Sequence, residues 1–229
     1  KASAASVPST SADMTSRAEA WLGAAIASQQ DDGYFGPREN KLGRDWWPHM
    51  VMLYALRSYH EATGDERVIP MMLKFFRFLD SRPEGDLLPY KWGEGAYRKE
   101  WWQSVRSADL LQSLYWTYNR TGETWLLDLA ARVHARSADW VGGVPTWHGV
   151  NICQGFREPA VFYQQSKEAG HLAATQRNYD TVWNEYGQVP GGMFGADENC
   201  RKGYTGPRQA AETCSMVEFM NSCQELMKI

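Results

Sequence analysis

The stretch LYWTYNRTGETWLL, from Leu114 to Leu127, reads as the end of one amphipathic helix, a tight turn and the start of another. Two other stretches repeat the pattern: LRSYHEATGDERVI from Leu56 to Ile69, and FYQQSKEAGHLAAT from Phe162 to Thr175. Their turn glycines, Gly64, Gly122 and Gly170, stand 58 and 48 residues apart. Glycine suits a helix-ending position because it takes positive φ without a Cβ clash. Helical spacing of apolar residues resumes after the turn, with Val68, Ile69, Met72, Leu73 and Phe76 in one case and Leu126, Leu127, Leu129, Ala130 and Val133 in another.

Longer segments rich in Gly, Pro and aromatic residues separate these hairpins: RPEGDLLPYKWGEGAYRKE, VGGVPTWHGVN and YGQVPGGMFGADENC. The pattern predicts helices near 14–28, 45–63, 66–80, 104–121, 124–140, 153–168, 171–186 and 208–228, with weak strand signals throughout. The fold class is therefore all-α. Short turns on one rim and long loops on the other describe a toroid of helical hairpins, since a tetratricopeptide solenoid would need a period near 34 residues. Six such hairpins would need roughly 300 or more residues. The expectation is an (α/α)6 barrel truncated to about four hairpins over residues 14–229, after a disordered Ala/Ser-rich leader at 1–13. Function belongs on the long-loop rim, where a rigid scaffold presents variable segments.

Composition narrows the partners. A net charge of −3 offers nothing to nucleic acid or an anionic membrane, and no apolar run is long enough to span a bilayer. The chain holds 11 Trp and 11 Tyr, some doubled as in Trp46-Trp47 and Trp101-Trp102. Flat rings with a polar edge pack on the C–H face of a sugar, so a carbohydrate partner fits. The four cysteines, Cys153, Cys200, Cys214 and Cys223, form no C-x-x-C pair and are too sparse for a disulfide framework.

Each candidate site residue has a plain structural alternative. Glu212 and Cys214 point to opposite sides of a regular helix and converge only in an extended segment or at a helix start. Converging, they would suit zinc; otherwise Cys214 is a small buried hydrophobe and Glu212 is solvated. Glu198 follows a glycine-rich run and could act as a general acid, or be a loop glutamate, with Asp197 as its neighbouring competitor. His148, with Trp147 and Asn151, offers a stacking face and donors for hydroxyls, or is a structural loop histidine. Asp45 reads as a helix N-cap before Trp46, Trp47 and Pro48, and Trp47 could line a cleft. Arg106 and Asp109 could line the same cleft or pair within their helix. His49 packs at a helix start; His60, His134 and His171 read as surface residues.

Three segments together carry a resemblance: GRDWWPHMVMLYALRSYHEATGDERV, WHGVNICQGFREPAVFYQQSKEAGH and GGMFGADENCRKGYTGPRQAAETCSMVEFM. They resemble bacterial β-L-arabinofuranosidases of glycoside hydrolase family 127. The resemblance implies an (α/α)6 barrel and retaining hydrolysis by a cysteine nucleophile bound to zinc. It assigns Glu198 to proton transfer, His148 to the sugar, and Glu212 with Cys214 to the zinc. The family's Cys-Cys pair, which includes the nucleophile, has no match after Cys214, so the remaining thiolates are expected beyond Ile229. A plant-type glycan is the implied substrate, and the periplasm or cell exterior is favoured over the cytoplasm. The alternatives are a metal-free toroid enzyme, such as a uronyl hydrolase or lyase, and a non-catalytic sugar-binding scaffold.

Overall fold

The computed structural model describes residues 11–89, 102–187, 198–200 and 211–229. Ten residues of the expected leader, the glycine run with Asp197, and Pro207 lie outside the described residues. The helices are α1 (Ser11–Ala27), α2 (Arg38–Gly43), α3 (Trp47–Thr63), α4 (Val68–Asp80), α5 (Glu84–Leu87), α6 (Trp102–Val105), α7 (Ala108–Thr121), α8 (Trp125–Arg136), α9 (Gly149–Gly155), α10 (Glu158–Ser166), α11 (Ala169–Tyr186) and α12 (Thr213–Leu226). Apart from isolated bridges, the described residues contain no strand.

Tight turns make hairpins of α3 with α4, α7 with α8, and α10 with α11. Helix α7 packs on α3 and on α10, and α12 packs on α9, so an inner row runs α3, α7, α9–α10, α12. Helices α4, α8 and α11 lie behind it, with α1 against α3. The result is an all-α arc of a helical toroid; the six-hairpin count rests on the resemblance. The main core fills the space between the rows, where α4 buries Met71, Met72, Phe75, Phe76, Phe78 and Leu79.

Gly64 and Gly122 end α3 and α7 with φ of 70° and 72°, as the turn pattern predicts. The third turn differs. Lys167 takes the left-handed conformation, φ 58°, and its N–H bonds Tyr163 O, while Gly170 lies inside α11. Two predicted continuous helices are broken. Helix 153–168 becomes α9 and α10, interrupted at Phe156-Arg157; Pro159 has no N–H and its ring crowds the carbonyl four residues back. Helix 104–121 becomes α6 and α7, interrupted at Arg106-Ser107. Here the cause is tertiary: Ser104 O accepts from Ala138 N at 2.9 Å and Val105 O accepts from Trp140 Nε1 at 3.0 Å.

Arg106 and Asp109 do not pair with each other. Asp109 is fully buried against Arg157, itself fully buried, and the network takes in Tyr54 of α3, Gln112 of α7 and Ser222 of α12. His134 is not a surface residue: its ring stacks on Phe162 at 3.8 Å and Nδ1 faces the buried Glu158 carboxylate at 2.7 Å. His171 is also buried. No helix among the described residues is long and apolar enough to cross a membrane.

Candidate active site

Helices α3, α6, α9 and α12 begin at one mouth, and the residues at their starts build the site. Trp47 is the first residue of α3 and Trp102 of α6; His148 is the N-cap of α9 and Glu212 the N-cap of α12. Gln103 joins two of these starts, accepting from Trp46 N at 2.9 Å and donating to Arg44 O at 3.1 Å. Asp45 caps from one position before the N-cap, with Oδ1 accepting from Trp47 N at 3.2 Å. Trp47 and Trp102 then meet edge to face, 5.9 Å between centroids.

Arg106 packs against both indoles, 4.6 Å from the Trp47 ring and 4.9 Å from the Trp102 ring. Its Nε donates to Asn151 Oδ1 at 2.7 Å. Asn151 is fully buried, so it reaches the mouth of the site through Arg106. Trp102 also packs on His148, 6.2 Å between ring centroids.

His148 is half-buried. Its Nδ1 accepts the Asn151 backbone N–H at 3.5 Å, which places the ring proton of the neutral form on Nε2. That Nε2 faces Glu198 Oε2 at 3.5 Å. Burial, then the Arg106 charge, push the imidazole pKa down, so the ring is neutral at pH 7. Glu198 is held by its backbone. Gly149 N donates to Glu198 O at 2.8 Å, Cys200 N donates to Trp147 O at 2.8 Å, and His148 pairs with Asn199 in a short antiparallel bridge. The Glu198 side chain itself stays exposed.

Glu212 has extended backbone, φ −68° and ψ 134°, immediately before α12. The irregular start sets its carboxylate near Cys214, and the carboxylate, ahead of burial, raises the thiol pKa. The helical reading of this pair, with Cys214 buried, does not hold: Cys214 is exposed. Glu212 Oε2 is buried without a partner among the described residues. An oxygen with spare capacity beside a thiol fits part of a zinc site. Among the described residues no group of three or more His, Cys, Asp or Glu side chains converges as a metal site needs. Glu198, Glu212 and Arg106 all act electrostatically on His148, so the fragments share one mouth.

A family model for the β-L-arabinofuranosidase catalytic domain of glycoside hydrolase family 127 matches residues 2–229. The chain belongs to this family. A family 127 chain is a glycoside hydrolase of β-L-arabinofuranosidase type, and its substrate is a carbohydrate. No curated protein and no solved structure gives a significant match. Two parts of this candidate site escape the sequence. Trp102 and Glu218 carry no motif, though Trp101-Trp102 before a buried helix echoes Trp46-Trp47. Glu218, one turn beyond Cys214 on α12, has its pKa raised by burial and also acts on Arg106. Cys153 and Cys200, whose thiols burial pushes up, to about 12 for Cys200, belong to a small core cluster and not to the mouth.

Proposed function

We propose that the chain carries the proton-transfer and sugar-binding parts of a retaining β-L-arabinofuranosidase. The observation that supports this most is the bridge between 147–149 and 198–200, which sets the Glu198 carboxyl beside His148 at the mouth where Glu212 meets Cys214. Glu198, protonated, gives its proton to the departing glycosidic oxygen; as carboxylate it then takes a proton from water. His148, neutral, donates its Nε2–H to the carboxylate and holds it toward the sugar. Trp47 offers an apolar face to the sugar ring, and Asn151 acts from behind. Glu212 and Cys214 would hold zinc as two of its ligands; when bound, zinc keeps a thiol ionised near neutral pH. A metal-free toroid enzyme leaves the exposed thiol beside Glu212 without a use. The implied substrate is a plant-type glycan with terminal L-arabinofuranose.

The test, on the full-length protein, is metal analysis together with hydrolysis of an aryl β-L-arabinofuranoside. Glu198→Gln should lower kcat by about 100-fold or more with metal content unchanged. Cys214→Ser should lose zinc and activity together. Full metal and full activity in Cys214→Ser would sink the reading.

A further inference from the structure

Arg106 is only 3 % exposed, yet it has capacity to spare. The Trp47 and Trp102 rings, set nearly at right angles to each other, both pack on its guanidinium, and Asn151 fixes one edge through Nε. The two terminal nitrogens make no hydrogen bond to a described residue, and they are not sealed from solvent as the buried unpaired atoms around them are. Removing a cation this far from water has a cost, and burial lowers its pKa to about 10. An apolar side chain would fill the same space without that cost. A stacked arginine with a free edge is instead a rigid pair of donors, its geometry fixed before any ligand arrives.

The surrounding charge indicates what the fork would meet. The Asp109, Glu218 and Glu212 carboxyls all bear on Arg106, so the mouth already balances this cation and has no need of an anionic ligand. Neutral oxygens bearing lone pairs, as on a sugar, fit better than a carboxylate or phosphate. We propose that Arg106 is a sugar-recognition residue whose terminal N–H groups donate to adjacent oxygens of the bound sugar, held in place by Trp47, Trp102 and Asn151. This rests on the glycosidase reading above and gives it a residue that selects by hydroxyl geometry.

The experiment, on the full-length protein, titrates L-arabinose by calorimetry and measures KM and kcat on the aryl arabinofuranoside, with thermal melting of each variant. Arg106→Lys keeps the charge but loses the planar fork; it should weaken arabinose binding about tenfold or more at near-native melting temperature. Arg106→Ala should bind more weakly still. Guanidinium chloride, below denaturing concentration, should restore binding in Arg106→Ala, while sodium chloride of equal ionic strength should not. Wild-type affinity in a folded Arg106→Lys, or equal restoration by both salts, overturns the assignment. If Arg106→Ala does not fold, Arg106→Lys decides. Wild-type protein that neither binds arabinose nor cleaves the arabinofuranoside defeats the glycosidase reading, and this inference with it. An active wild type with an indistinguishable Arg106→Lys defeats this inference alone.

Discussion

His49 shows how position sets protonation in this chain. It lies in the first turn of α3, stacked on Phe75 at 5.0 Å, with Nε2 donating to Phe35 O at 2.8 Å. Burial drives its pKa down to about 4 from the usual 6.5. Between those values the unfolded chain binds a proton that the folded chain does not. Stability is therefore full above about pH 6.5 and falls as pH drops toward 4, by up to about 3 kcal/mol. Urea unfolding at pH 7 and pH 5 should show the loss, and His49→Gln should flatten it. The packing of His49 was legible from DWWPHM; its neutrality was not, because Phe35 and Phe75 come from other segments. The same division holds in the site. Glu198, His148, Glu212 and Cys214 stand in motifs that sequence can carry. The clamp on Arg106 takes residues from three helix starts, and no local pattern announces it.

The helical hairpins were legible because their turns are local events: Gly64 and Gly122 end helices by their own backbone freedom. The interruption at Arg106-Ser107 was not, because distant groups take the carbonyls of Ser104 and Val105. Gln103 and Arg106 before one interruption repeat as Gln154 and Arg157 before the other, a signal visible only once both breaks are known. The two broken segments also touch. A Cβ on Gly155 would overlap the Trp140 ring and the Val105 carbonyl. Gly155→Ala should cost about 1–3 kcal/mol in chemical denaturation, and more if Trp140 cannot shift. Lys167→Gly should move the other way, gaining about 1 kcal/mol by relieving a left-handed residue that carries a Cβ.

Across the molecule, Asp109 and Arg157 form a charged knot beneath the site, with Gln112 from the helix of Asp109, Tyr54 from α3 and Ser222 from α12. Removing one member strands a buried charge. Asp109→Leu should cost about 3–5 kcal/mol in urea unfolding. The double variant Asp109→Leu with Arg157→Met should cost less than Asp109→Leu alone, which distinguishes a stranded charge from lost packing.

The placement of Trp47, Trp102, His148 and Glu212 at successive inner-helix starts divides labour along each helix. The middle of each helix answers to its neighbours; its first residue faces the mouth. A change at one start leaves the packed registers of the others in place. Under the proposed glycosidase reading, selection can therefore retune the recognised sugar one helix start at a time, as a lock is rekeyed pin by pin while the barrel that holds the pins stays the same.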